Sequence, residues 1–186
     1  MTAWRSGEQT ALLVGRMAAV STALHRILGA AADHEGQAAA TVLLDELSLQ
    51  HAWHAEILGD RLPRRAGVDR AELTVLGPLA DPFAVVTELA EGGDVDGVVA
   101  AYRLVVLPRL IEHGGDLAAG CSEAAERSLR RSLSFVALDL SEALVRSGSL
   151  LVALTSDDGA EAHAGRVAGD LSAAVAAVVG GPGLGV

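Results

Sequence analysis

The chain has 186 residues, a formal net charge of −10, and arginine as its sole basic residue besides histidine. This length suits one domain with a sizeable core, and the acidic balance argues against partners that are bound through a basic stripe, such as nucleic acid or an anionic membrane surface. The composition is 51% hydrophobic but only 3% aromatic, which predicts a core of Ala, Leu and Val.

Cysteine usage and the first residues of the chain indicate a compartment. The single cysteine, Cys121, cannot form an internal disulfide and fits a reducing cytoplasm. The opening MTAWRSGEQT lacks the basic and apolar regions of a secretory signal. No stretch has the roughly 18 consecutive apolar residues that a membrane helix needs. We therefore expect a cytoplasmic protein.

Apolar residues recur at helical spacing along the chain, and no alternating strand pattern interrupts them. The longest irregular stretch is 61–80, which contains two prolines and two glycines. In chain order, the pattern predicts helices at residues 7–32, 35–59, 81–91, 94–113, 122–154 and 157–179. Four long helices with one longer middle connection predict an all-α fold, an antiparallel four-helix bundle with additional short helices, in a single domain spanning 1–186.

Three features are predicted from residues that break or cap helices. Pro108 should kink the third long helix because it removes one backbone hydrogen bond. Gly114-Gly115 should end that helix near residue 113. Ser122 should be the N-cap of the fourth long helix, with Glu126 nearby in an arrangement like a capping box.

Polar side chains recur within the apolar sectors of two helices. On the second helix, Glu46, Gln50 and His54 follow one another at intervals of four, and they share a side with an apolar group made of Leu43, Leu47, Trp53, Ile57 and Leu58. On the third long helix, the residues on or beside a valine stripe are Tyr102, Arg109 and His113. Polar groups in a core cost free energy unless a partner satisfies them. We therefore expect these six residues to form a ligand site or a buried polar network.

Three interpretations of this set remain open. A metal site would use Glu46, His54 and His113, because carboxylates and imidazoles from facing helices hold the metals of di-iron bundles. A buried network would pair Glu46 with Arg109, with Tyr102 as a donor. An acid–base enzyme would use His54 or Glu46 as the base.

The ligand inventory favours the buried network. A di-iron bundle takes a carboxylate from each of two helices and a Glu-x-x-His motif from each of the other two. Three residues before His54 stands His51, which lies near the edge of the predicted apolar face. The nearest acid on the fourth long helix, Asp139, lies at the margin of its stripe, whereas Glu142 points outward toward Arg146.

The order of the helices and two segments, ELSLQHAWHAEILGDRLP (46–63) and YRLVVLPRLIEHG (102–114), resemble the ferritin-like superfamily, and more narrowly actinobacterial ferritin-like proteins of unassigned function. The resemblance covers about residues 7–154. It implies a ferritin-like fold with Glu46 and His54 at positions of inward ligands. We expect a non-catalytic binding or accessory protein without a cofactor. The alternative is an iron-dependent oxidase or hydroxylase with an atypical site at Glu46, His54 and His113.

Apolar residues outside the predicted core predict self-association. The last helix and the tail carry Leu171, Val175, Val178, Val179 and Leu184 with almost no charge after Asp170. The fourth long helix has a second apolar group, made of Phe135, Leu138, Val145 and Val152. Exposed apolar patches usually mark interfaces, so we expect a homodimer. The alternative is that the last helix folds back over this second face.

Overall fold

The computed structural model describes residues 6–64, 69–123 and 125–179, and every regular element in these ranges is helical. The all-α prediction is therefore confirmed for this part of the chain. The helices are α1 (Gly7–His34), α2 (Ala38–Gly59), α3 (Arg70–Leu73), α4 (Ala80–Glu91), α5 (Val95–Ala101), α6 (Leu107–Gly120), α7 (Arg127–Leu154) and α8 (Asp158–Val179). A 3-10 turn at Gly77–Leu79 precedes α4. Part of the irregular stretch (65–68) and the end of the tail (180–186, including Leu184) lie outside the described residues.

The long helices pack in a closed order around one aliphatic core. α1 packs on α2, α2 on α7, α7 on α6, and α5 and α6 return to α1. α4 lies against α1 and α5, and α8 packs mainly on α5. Leucines from each of the four core helices are almost fully buried: Leu24, Leu28, Leu44, Leu107, Leu133 and Leu140. On α1, the buried residues Met17, Val20, Leu24, Leu28 and Ala31 follow one another at the helical spacings of three and four.

The third long helix runs from α5 to α6 without a break. A π-helical segment at Tyr102–Val106 joins the two, and the Leu107 N–H bonds the carbonyl of Tyr102 five residues back. The segment ends two residues before Pro108, which is the residue predicted to kink the helix and has no N–H of its own. The predicted end at Gly114-Gly115 is wrong, since α6 continues to Gly120. Gly114 is instead a packing residue: a Cβ there would lie 3.1 Å from Met17 Cε of α1.

The start of α7 also differs from its prediction. The helix begins at Arg127, so Ser122 is not its N-cap. The expected pairing with Glu126 nevertheless exists. The Ser122 N–H donates to Glu126 Oε2 at 2.7 Å, and Ser122 Oγ accepts from the Ala125 N–H at 3.3 Å. These two hydrogen bonds link residues within 122–126 to one another. They close a turn just before α7 and do not cap the helix itself.

α1 is long and apolar enough to cross a membrane by length and composition alone. Of the apolar window that meets this criterion, 61% is buried inside the structure. A core helix of a soluble protein meets the same criterion, so length and composition do not distinguish the two roles.

Candidate functional site

The buried side of α2 carries three polar residues in a row. The buried residues of this helix are Ala40, Leu44, Leu47, Ser48, His51, His54 and Leu58. This side is rotated by about 75° from the predicted apolar sector, using 100° per residue. The prediction that Trp53 faces the core is wrong, because its side chain is 44% exposed. His51, predicted at the edge of the face, is fully buried.

His51 lies against Tyr102 at the start of the π segment. Its Nε2 atom is 2.9 Å from Tyr102 Oη, and the two rings meet edge to face with centroids 5.6 Å apart. The pKa of His51 is lowered to about 3, mainly by burial and to a smaller extent by the nearby His54 and His25. Burial also raises the pKa of Tyr102 well above its usual range. Both groups are therefore neutral at pH 7.

His54 lies one turn further along α2 and contacts α7. Its Nε2 atom is 3.0 Å from Asp139 Oδ2. A carboxylate only accepts, so Nε2 carries the proton and donates. Burial lowers the pKa of His54, while the hydrogen bond and the charge of Asp139 oppose this shift. The imidazole is completely buried but the Asp139 side chain is 32% exposed, so this pair reaches the protein surface.

We name His51, His54, Tyr102 and Asp139 the core polar cluster. The two imidazoles meet edge to face with centroids 5.5 Å apart. In each ring Nε2 has a partner, whereas Nδ1 is buried without a hydrogen bond among the described residues. The cluster thus joins α2 to the π segment on one side and to α7 on the other.

A second polar contact ties the same face of α2 to α1. The Ser48 hydroxyl donates to the His25 carbonyl at 2.8 Å, and His25 Nδ1 lies 2.8 Å from Ser48 Oγ. Gly29 permits this approach, because a Cβ there would lie 3.3 Å from Ser48 Oγ. Ser48, His51 and His54 therefore each contact a different neighbouring helical segment.

Of the other four predicted site residues, Glu46 and Arg109 contact partners outside the cluster. Glu46 is half exposed and forms an ion pair with Arg146 of α7. Gln50 is partly buried on the flank of α2, and His113 is partly buried on α6. Arg109 donates through Nη2 to Ser172 Oγ of α8 at 3.3 Å. The predicted Glu46–Arg109 pair is therefore wrong, because Glu46 faces α7 while Arg109 faces α8.

The cluster does not have the donor set of a di-iron centre. It offers one carboxylate, whereas such bundles place a carboxylate on each of four helices. Within 6–64, 69–123 and 125–179, no group of three or more His, Cys, Asp or Glu side chains is placed to hold a metal ion. The predicted ligands Glu46, His54 and His113 thus do not converge in the described structure. What the cluster provides chemically is a neutral imidazole–phenol pair and an imidazole–carboxylate pair.

Half of this cluster is predicted from the sequence. The predicted set includes His54 and Tyr102, whereas the sequence pattern places His51 and Asp139 at the margins of their faces. The signal that would have found His51 is its spacing of three from His54, which puts both on one side of a helix.

No family model, curated protein or solved structure matches the chain.

Proposed function

We propose that this chain is a ferritin-like helical-bundle protein without a complete di-iron site, which acts as a non-catalytic binding or accessory protein. The observation that carries the proposal is the pairing of inward polar groups with one another. The Nε2 atoms of both buried histidines are taken up by Tyr102 and Asp139. In this proposal the core polar cluster stabilises the bundle where a ferritin-like enzyme would hold metal.

The packing order supports a ferritin-like arrangement. Four core helices, with the α5–α6 helix counted once, contact one another in a closed order. The contacts of His54 with Asp139 and of Glu46 with Arg146 are consistent with α2 and α7 running in opposite directions. Both features are expected of an antiparallel four-helix bundle. The segments 46–63 and 102–114 carry the sequence resemblance.

The protonation states support a non-catalytic core. A general acid or base works best with a pKa near the operating pH. Burial moves the pKa of His51 to about 3 and moves that of Tyr102 the other way. Neither group exchanges a proton readily at pH 7, so the His51–Tyr102 pair is poorly suited to acid–base catalysis.

Elemental analysis of protein purified from iron-supplemented cells tests this proposal. We expect less than about 0.3 iron per chain, since the cluster lacks the ligands of a di-iron bundle. As the matched control, the double variant Glu46→Gln/His54→Gln, which changes two ligands of the alternative iron site, should have the same iron content as the wild type. Two irons per chain with an oxo-to-iron absorption band, both lost in this double variant, would overturn the proposal and favour the iron-dependent oxidase or hydroxylase.

A further inference from the structure

The outward sides of α2 and α7 carry large apolar side chains that nothing in the described structure covers. On α7, Leu138, Val145 and Val152 follow one another at intervals of seven and are 69%, 71% and 74% exposed. A seven-residue interval keeps side chains on one side of a helix, as in the seam between paired helices. On α2, the exposed apolar residues are Val42, Leu49 and Trp53.

These two sets lie on adjacent helices, which the half-exposed ion pair between Glu46 and Arg146 joins. The ion pair between Glu46 and Arg146 and the contact between His54 and Asp139 fix the antiparallel register of the two helices. In this register, three apolar pairs lie level with each other: Val42 with Val152, Leu49 with Val145, and Trp53 with Leu138. We name this surface, made of these six side chains, the outer α2–α7 face.

The outer face has the size of an apolar patch that marks an interface. Leu138 and Val152 lie 14 positions apart, about 21 Å along α7, and two adjacent helices are about 20 Å wide. The six side chains therefore span about 400 Å², the size of an exposed apolar patch that usually marks a binding surface.

The last helix does not cover this face. α8 packs mainly on α5 and also contacts α4 and the π segment, and its residues Leu171 and Val175 are buried within the same chain. The alternative prediction, that the last helix folds over the second face of α7, is therefore wrong. Leu171 and Val175 are also excluded from the predicted dimer contact.

Opposite charges lie at the two ends of α7. At its start, three arginines line a groove of about 330 Å³ together with Glu123 and Ser134: Arg127, Arg130 and Arg131. Beyond its end, at the start of α8, the exposed residues include Asp157, Asp158 and Glu161. Asp96 lies close to this acidic segment. Its pKa is raised by burial and by neighbouring acids that include Asp157.

We propose that the outer α2–α7 face binds a second copy of this chain about a twofold axis, with the two α7 helices antiparallel and crossing at Val145. In this arrangement Val145 meets its own copy and Leu138 meets Val152 of the second copy. Arg131 lies 14 positions before Val145, about 21 Å along α7 at the rise of a helix, and Asp158 follows the end of α7, which lies 9 positions after Val145. The arginines of one copy therefore approach the acidic segment of the other. A twofold axis makes both contacts occur twice, so the face and the charges are self-complementary.

Cysteine cross-linking tests the contact at the axis. Val145→Cys should give a disulfide-linked dimer on oxidation, since only a residue near a twofold axis meets its own copy. Leu138→Cys alone and Val152→Cys alone should not cross-link, whereas a mixture of the two should. The wild type is the control, since its one cysteine, Cys121, is buried. A dimer that Val145→Cys does not cross-link would overturn this arrangement.

Sedimentation equilibrium tests the association itself. The wild type should have twice the 19.0 kDa chain mass, and Val145→Glu should have the mass of one chain while staying folded. As the control, Val85→Glu on α4, at a site 54% exposed outside the face, should leave the mass of the dimer unchanged. A wild type with the mass of one chain at every concentration would overturn the proposal.

A charge exchange tests the polar contacts. Arg131→Glu and Asp158→Arg should each raise the dissociation constant by about 2- to 30-fold, because an exposed ion pair contributes little and each substitution acts twice. The two substitutions together should restore most of the affinity. Weakening that persists in the double variant would contradict the proposed pairing. The iron content is a separate measurement, so the dimer and the non-catalytic proposal can fail independently.

Discussion

The polar residues on the buried side of α2 each contact a different part of the molecule. Ser48 bonds α1 through His25, His51 bonds the π segment through Tyr102, and His54 bonds α7 through Asp139. An apolar side chain at any of these positions could slide along its neighbour, whereas a hydrogen bond in a low-dielectric core requires one register. We infer that this row sets the axial positions of the helices that surround α2.

Tyr102→Phe should destabilise the protein. The substitution leaves His51 Nε2 buried without a partner, in a ring whose Nδ1 already has none among the described residues. An unsatisfied buried polar group costs about 1–3 kcal/mol. The free energy of unfolding in urea, measured at pH 7.5 against the wild type, checks this value.

The double variant His51→Leu/Tyr102→Phe is the matched control for that measurement. It removes both partners, so it should be less destabilised than the sum of the two single variants. Single variants whose effects simply add would show that the bond between His51 and Tyr102 contributes no coupling energy.

Hydrophobic periodicity could predict only part of the candidate site. It treated Trp53 and Ile57 as inward residues, which rotated the predicted sector toward Glu46 and Gln50 and away from His51. In the structure Trp53 is partly exposed on the outer face, and Glu46 pairs with Arg146. The pattern counts apolar atoms but contains no information on which polar side chain finds a hydrogen-bonding partner on another helix. A polar residue can be buried at low cost only where such a partner exists, as Tyr102 does for His51.

At the scale of the helices, the sequence predicted which elements exist better than where they end. Six predicted helices correspond to α1, α2, α4, the α5–α6 helix, α7 and α8. The errors at Gly114 and Ser122 share a cause, because each residue type has a second use. Glycine can end a helix or admit a neighbour, and Gly114 contacts Met17. Serine can cap a helix or close a turn, and only tertiary packing decides between these uses.

Gly15 on α1 is a further position where packing requires glycine. A Cβ at this position would lie 2.2 Å from the carbonyl oxygen of Leu73. The contacting atom belongs to the backbone, so α3 would have to move. Gly15→Ala should therefore lower the free energy of unfolding by about 1–3 kcal/mol, the usual cost of overpacking, and urea denaturation measures this change.

Gly165→Ala on α8 is the control, because nothing lies within 4 Å of its added Cβ. There alanine should stabilise the protein by about 0.5–1 kcal/mol, since it restricts the unfolded chain and favours the helix. Equal effects of the two substitutions would show that contact with α3 does not set the cost at Gly15.

At the scale of the whole molecule, amphipathic patterns indicate how many apolar faces exist but not which elements cover them. α8 was expected to join a dimer contact or to cover α7, and it packs on α5 instead. Two polar contacts accompany this packing: His163 Nε2 lies 2.7 Å from Asp94 Oδ2, and Arg109 donates to Ser172. Asp94 also caps α5 by accepting from the Gly97 N–H. The His163–Asp94 and Arg109–Ser172 pairs each join residues more than 60 positions apart in the sequence. Helical periodicity relates only residues on the same helix, so it does not predict these contacts.

The stability of the whole molecule should fall with acid because of its buried histidines. The pKa of His51 is about 3 in the folded protein and about 6.5 in the unfolded chain, and burial also lowers the pKa of His54. Below about pH 6.5 the histidines of the unfolded chain therefore bind protons, whereas the same histidines in the folded protein do not. The free energy of unfolding contributed by these groups is fully present above that pH. It decreases by up to about 1.4 kcal/mol per pH unit for each histidine as the pH falls toward the folded value.

Urea unfolding of the wild type and of His51→Leu/Tyr102→Phe, from about pH 7.5 to about pH 4.5, checks this sign and slope. Acids such as Asp96, whose pKa is raised, act in the opposite direction, but they are common to both proteins. The difference between the two profiles therefore isolates His51. Below about pH 6.5 the wild type should lose stability faster than the double variant, by up to about 1.4 kcal/mol per pH unit. Parallel profiles over this range would mean that His51 accepts its proton without unfolding, and that the imidazole is reached by water in the native protein.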